Sequence, residues 1–340
     1  GFLCHPDISS GNQGIQDQIL ALEWVNQNIK SFGGDPSNVT VMGQSAGAIS
    51  AYALLANKNA RHLIKNVIFQ SGRFNSFETT DIASEKAEKL AGIAGVTVKE
   101  LKTISLEELL DAQSTLAKKE AIFASTNIPL LPVVDGDIIS DRVHADVFDG
   151  AKGKSIILGS THDEMHAFIS GNPEIENASQ NQIMDVFKRE LGDNWEHIYK
   201  ECHKCAPGAT AMEMLSMGLN IANFEGQTAT LAANFAEKGI DTWLYRFDWK
   251  SLQGQFGACH CIELPFIFGT FEKWSPPMIT GLDLNEGQSF SKILQQTWAT
   301  FTRQGDPNHD EIPFWPKISE KKCYEIHWNK YIEVIQKFDE

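Results

Sequence analysis

The five residues Gly43-Gln44-Ser45-Ala46-Gly47 stand where a short β-type run, 38–42, gives way to an apolar run of good helix formers, 48–56. Strand, Gly-x-Ser-x-Gly, helix is the layout of a nucleophile elbow, which holds a serine on a tight turn with its hydroxyl projecting at the sheet's edge. The turn is strained, and a side chain at either glycine is expected to collide with the neighbouring strand or helix. The helix that follows aims its first N–H groups and its positive dipole end at the serine, which favours a developing oxyanion.

A serine hydroxyl is a poor nucleophile unless a base takes its proton and a third group orients that base. In an elbow-type sheet the chain order is serine, acid, histidine, the last two on loops after later strands. After the compact apolar run 155–159 comes Ser160-Thr161-His162-Asp163-Glu164-Met165. After the run 242–247 comes a glycine-containing loop, Gly254-Gln255-Phe256-Gly257-Ala258-Cys259-His260, leading into Glu263-Leu264-Pro265. One loop histidine among 10, or one loop carboxylate, is ordinarily a solvated surface residue. Their order and their strand-end placement after an elbow carry the joint reading.

The elements that must position these groups follow from periodicity. Apolar residues over 15–30 recur at helical spacing and stop at Phe32-Gly33-Gly34-Asp35-Pro36. The strand 38–42, expected to be buried, precedes the elbow, and 66–72 reads as a second short buried strand ending in a turn. The pattern turns helical and more charged over 76–127, extended over 128–137, and helical again over 181–235. The run 242–247 is the last clear strand, and a final helix is expected over 290–303, ended by Gly305-Asp306-Pro307. Strands alternating with helices, without a repeat period or a low-complexity linker, predict one α/β domain.

The segments Asn12-Gln13-Gly14-Ile15-Gln16-Asp17-Gln18, Phe32-Gly33-Gly34-Asp35-Pro36, Gly43-Gln44-Ser45-Ala46-Gly47, Gln70-Ser71-Gly72, Pro132-Val133-Val134-Asp135-Gly136, Asp163-Glu164 and Gly257-Ala258-Cys259-His260 resemble the type-B carboxylesterase family. That family is the carboxylesterase, cholinesterase and p-nitrobenzyl esterase group. The resemblance implies an α/β-hydrolase fold, with a mostly parallel central sheet and flanking helices. It implies one catalytic domain over 1–340, with helical insertions near 76–127 and 165–235. By resemblance Ser45 is the nucleophile, Glu164 the acid and His260 the base, with Asp163 the second choice for the acid. Ala46 gives one N–H to the oxyanion hole, and Gln44 and Ser50 lie near the site. Ser50 also reads as a plain helix serine bonding its own backbone.

Three departures from the family pattern stand out. Gln44 occupies a position commonly held by glutamate, and Met165 one usually held by glycine. The chain also opens past the point where the family has its first strands and a His-Gly-Gly-Gly type loop. The resemblance is therefore expected to cover the C-terminal two-thirds of the family only, with a complementing N-terminal chain of the same enzyme supplying the rest. The implied activity is a serine carboxylic-ester hydrolase working through an acyl-enzyme on small to medium esters, without cofactor or metal. The other readings are a non-catalytic adhesion or scaffold member of the superfamily, and an inactive fragment.

A net charge of −15 argues against nucleic acid or an anionic membrane surface as a partner. No apolar stretch approaches the length of a membrane span. Cys202-x-x-Cys205 with His203, and Cys259-x-Cys261 with His260, do not make two proper zinc pairs. Reduced thiols in a cytoplasmic protein account for the six cysteines. The sulfur-rich stretch around Met212 and Met217 reads as core packing before pocket lining.

Overall fold

The structure, a computed structural model, describes residues 1–126, 128–250, 255–274, 277–319, 322–329 and 331–339. Gly254 of the expected base loop lies outside the described residues. The chain gathers into two compact units. One comprises Gly1–Ser37, Tyr52–Leu63 and Asn75–Gly150; the other comprises Asn38–Ala51, Ile64–Phe74 and Ala151–Glu340.

In the first unit the helix Gln13–Asn28 realises the expected periodicity and passes through a 3-10 turn, Ile29–Phe32, to Gly33, whose φ of 84° suits a residue without a side chain. The helices Thr80–Ala94 and Leu106–Lys119 fill the expected helical stretch and pack through Leu90, Ala91, Ala112 and Leu116, with Leu101 from the 3-10 turn between them. Ser105 and Glu108 cap the second of them reciprocally, as Ser-x-x-Glu should. The expected extended segment 128–137 pairs over Val133–Val134 alone, against Glu78–Thr79. It is fixed by the buried Asn12, whose amide donates to Val133 O at 2.6 Å and to Asp135 at 2.9 Å and accepts from Val133 N at 2.9 Å. Two motifs far apart in sequence are thus one joint in space.

The second unit is built on a six-stranded sheet. Its strands are β1 (Thr40–Gln44), β2 (Asn66–Gln70), β3 (Ser155–Thr161), β4 (Asp241–Phe247), β5 (Lys322–Trp328) and β6 (Glu333–Asp339), lying in the order β6-β5-β4-β3-β2-β1. All neighbours are parallel except β6, which returns antiparallel to β5. β2 and β3 are buried nearly throughout and read as continuous apolar runs, as strands covered on both faces should. The aromatic core between β4, β5 and the helix Leu284–Gln304 includes Trp243, Trp298, Phe301, Trp315 and Trp328.

Four expectations need correction. Strand β1 begins two residues later than expected and runs into the elbow itself, because its register with β2 continues to Gln44 opposite Gln70. It is half-exposed rather than buried. The strand 241–247 is not the last, since β5 and β6 follow it. The final helix starts earlier, at Leu284, where Asp283 caps it by accepting from the N–H groups of Asn285 and Glu286.

Candidate active site

β1 delivers Gln44 and then turns at Ser45 into the helix Ala46–Ala56. Ser45 has φ 56°, a left-handed conformation rare for a residue with a side chain, so the turn holds it against its own preference. Its N–H is pinned to Gln70 O at 2.8 Å, and its carbonyl accepts from Ala48 N and Ile49 N at 2.9 and 3.1 Å. The N–H groups of Ala46 and Gly47 are those the helix itself does not use. A Cβ at Gly43 would lie 2.1 Å from Gly47 O, so glycine there is obligatory. At Gly47 a Cβ would meet nothing within 4 Å, which corrects the expectation that both glycines are sterically required. Gly43 lies under the first helical turn, whereas Gly47 faces open space among the described residues.

Glu164 follows β3 and is fully buried. Its carboxylate accepts from Thr161 N at 2.7 Å and pairs with His260 Nδ1 at 2.5 Å. The two loops are also joined by His260 N donating to Glu164 O at 3.3 Å. Asp163, the second choice for the acid, has another task. Its N–H donates to Ala258 O and its carboxylate accepts from Ala258 N, each at 2.9 Å. Burial works against its charge, but the hydrogen bond and charge of His162 and the Ala258 N–H hold its carboxyl at about 2. Asp163 therefore ties the acid loop to the base loop, and Glu164 alone reaches the imidazole.

His260 is 6% exposed, between the rings of Phe168 and Phe224, whose centroids each lie 5.2 Å from its own. Burial opposes a charged ring, but Glu164 outweighs it, with Cys261 beside the ring adding to the effect, and raises the pKa above the ordinary histidine range. The far nitrogen, Nε2, lies 3.2 Å from Gln44 Nε2. In the neutral ring, the form that can act as a base, the amide NH₂ donates to Nε2 and the ring proton sits on Nδ1, toward Glu164. Among the described residues no hydrogen bond joins Ser45 Oγ to the ring. Ser50 is half-buried on the second turn of the elbow helix, and among the described residues no hydrogen bond joins it to any of the three.

Sequence reasoning missed Asn220. Its side chain accepts from Met165 N at 2.9 Å and donates to His162 O at 2.8 Å, bracing the acid loop from the helix Ala211–Asn220. An asparagine ending a Met-rich helix carries no signal of this. On that helix Met214 and Leu215 are core, while Met212 and Met217 line a cavity of about 630 Å³ together with His162, His166 and Asn220. Phe168, 47% exposed, stands over the imidazole and was equally invisible in the sequence.

A model of the carboxylesterase family matches residues 1–338. Phenmedipham hydrolase of Pseudarthrobacter oxydans is 29% identical over 93% of this chain and 64% of its own length. Para-nitrobenzyl esterase of Bacillus subtilis is 30% identical over 92% of this chain and 62% of its own. Among solved structures, the carboxylesterase EST55 of Geobacillus stearothermophilus superposes with a TM-score of 0.85 at 28% identity, covering 99% of this chain and 71% of that one. The fold is thus that of the α/β-hydrolases. The chain spans less than two thirds of the length of these two curated relatives. The expectation that the chain answers to the C-terminal two-thirds of the family only is not borne out by the match over 1–338, and these matches hold no evidence for a complementing N-terminal chain.

Proposed function

The chain belongs to the carboxylesterase family, and on that premise we propose that it is a serine carboxylic-ester hydrolase acting on small to medium esters. The observation that carries the reading is the join of Glu164 to His260 Nδ1 beside a serine held at φ 56° on the elbow. Ser45 attacks the ester carbonyl while His260 Nε2 takes the hydroxyl proton, and Glu164 stabilises the imidazolium that forms. The Ala46 N–H, at the positive end of the elbow helix, stabilises the oxyanion. His260 then gives its proton to the leaving alkoxide, and a water that it activates releases the acid from Ser45. For the first step Ser45 Oγ must take Nε2 over from the Gln44 amide, a tightening common on going from a free to an occupied site.

Phe168 and Phe224 make the surroundings of the base apolar, which favours an aromatic or aliphatic group on the ester. Among the described residues no helix is long and apolar enough to cross a membrane. A cytoplasmic location is proposed from the six free thiols, which fit a reducing compartment. Fractionating cells that express the tagged protein tests it.

The activity is tested by treating the protein with a fluorophosphonate and assaying p-nitrophenyl esters, for wild type and Ser45→Ala. A single adduct on Ser45, and hydrolysis falling about a millionfold in the variant, is the expected outcome. No adduct, with hydrolysis at the uncatalysed background in both proteins, would leave only the non-catalytic readings, the adhesion or scaffold member and the inactive fragment.

A further inference from the structure

Beside the triad, the buried side-chain atoms without a hydrogen bond of ordinary geometry among the described residues include Gln70 Oε1, Tyr245 Oη and Glu263 Oε2, with Ser71 Oγ and Thr161 Oγ1 near them. Gln70 and Glu263 are 0% exposed and Tyr245 1%. The sheet register brings two of them together. Gln70 on β2, Gly159 on β3 and Tyr245 on β4 lie side by side on three parallel strands. A Cβ at residue 159 would lie 2.3 Å from the Tyr245 ring, so that ring fills the space a side chain there would take and leans toward Gln70. Gln70 Nε2 in turn donates to Glu263 Oε1 at 3.2 Å. Glycine at 159 is what lets strand residues two positions apart in the sheet share one polar pocket.

The pocket holds a second carboxyl close to that of Glu164. Glu164 has the imidazole and the Thr161 N–H; Glu263 has one amide and an orphaned oxygen. Two ionised carboxylates in one dry pocket repel, and the better-partnered one keeps the charge. Orphaned polar atoms facing one another are what a buried water joins.

We propose that Glu263 is a positioning residue, a neutral acid that donates to a buried water shared with Tyr245 and Gln70 and so leaves Glu164 the single negative charge beside His260. It rests on the triad reading above. Burial first, and the Glu164 charge second, push the Glu263 carboxyl up to about 7. The same burial, with both carboxyls, drives the Tyr245 phenol well above its usual range. The titratable groups facing Glu263 are Glu164 from the loop after β3, Tyr245 from β4, and His260 and Cys259 from its own loop. When Glu263 ionises, its proton leaves to solvent and a second negative charge arises beside the imidazole.

The test is Glu263→Gln, which keeps the neutral shape but cannot ionise, made in the Ser45→Ala background and read without substrate. The parent should show the infrared C=O band of a protonated carboxylic acid, fading as pH passes about 7, and the variant should lack it. The Tm of the variant should pull ahead of its parent progressively from about pH 5 to about pH 8, because an acid with a raised folded pKa loses stability as it ionises. Should that variant fail to fold, Tyr245→Phe removes one of the donors able to reach the carboxylate and should move the band's titration to higher pH. In the enzyme with Ser45 intact, Glu263→Gln should remove one inflection from the pH profile of kcat/KM. No such band, with a Tm gap that stays flat with pH, would overturn the proposal. Wild-type ester hydrolysis is assayed separately, so its absence sinks the triad reading while the infrared result still decides the state of Glu263.

Discussion

Two buried histidines in the same sheet unit are held by carboxylates, and the difference between them separates a base from a strut. His260 has a carboxylate on one nitrogen only, with an uncharged amide at the other. His327, on β5, has one on each: Asp248 at 2.8 Å from Nδ1 and Glu325 at 2.7 Å from Nε2. Those acids are held in turn, Asp248 by Arg246 at 2.7 Å and Glu325 by Lys337 at 2.8 Å. Burial opposes the His327 charge, but the hydrogen bonds its ring donates to both acids overcome it and raise its pKa. An imidazole with both nitrogens donating has no lone pair to offer and cannot take a proton from a hydroxyl. Carboxylates raise the pKa of both rings, so the difference lies in Nε2: His260 offers it to an amide that a hydroxyl can displace, whereas His327 is tied at both nitrogens and serves as a cross-link.

The sharpest break of this comparison is to remove each ring. His260→Gln should lower kcat about a millionfold, because a triad works as a unit, and should also lower the Tm, because it leaves the buried Glu164 carboxylate without its ring partner. His327→Gln should spare kcat in the protein that remains folded. Activity surviving the first substitution, or abolished in a folded protein by the second, would reverse the assignment. Next in size is Glu164→Gln. It keeps the shape of the site but offers the wrong partner to Nδ1, and kcat should fall about ten-thousandfold. If Asp163 were the orienting acid after all, that loss would appear in Asp163→Asn instead. That substitution is expected chiefly to loosen the tie to Ala258.

The strut makes a smaller, thermodynamic claim. Removing His327 leaves Asp248 and Glu325 facing each other without their shared cation, and breaking a buried pair in this way costs about 3–5 kcal/mol. The pH dependence has a definite sign. A histidine whose folded pKa is raised contributes its full stability below the unfolded value of 6.5, and loses it as pH rises through the folded value. Wild-type Tm should therefore fall on the alkaline side, and His327→Gln should flatten that slope. The carboxyl of Asp248, held at about 2 by His327 and Arg246 against its burial, acts at the other end. Its contribution is lost as pH falls below 3.8. A variant whose alkaline slope matches wild type would show that the His327 ring bears no structural charge.

The sequence made one of these histidines legible and hid the other, for a physical reason. The elbow, Glu164 and His260 stand at the ends of apolar runs, where period and punctuation are clear. β5 reads Lys322-Cys323-Tyr324-Glu325-Ile326-His327-Trp328, whose charged residues look like a solvated loop. Glu325 and His327 can be buried because they satisfy each other together with Asp248 and Lys337, a network that no one-dimensional pattern displays. The same holds for Gln70, Tyr245 and Glu263, which periodicity counts as strand and loop residues. Asn220 is hidden more thoroughly still. Its bonds go to backbone atoms of the acid loop, which leave no mark on sequence.

The finest test turns one histidine into the other. Gln44→Glu would place a second carboxylate beside Nε2 of His260 and reproduce, at the base, the flanking that His327 already has. An opposite charge at that distance favours the imidazolium, so the acid limb of the kcat/KM profile should move up by about one pH unit. Activity below that limb should fall about tenfold, and activity on the plateau should change little. The effect is a shift rather than a loss because the new carboxylate is only half-buried and, unlike Glu325, has no lysine to fix it against the ring. Ser45 Oγ can displace it as it displaces the amide. A profile that does not move would mean that the Gln44 contact with Nε2 is absent in the working enzyme. A collapse of the plateau would mean that two carboxylates are enough to lock His260, and that the charges around Asp248 and Glu325 add nothing to the capture of His327.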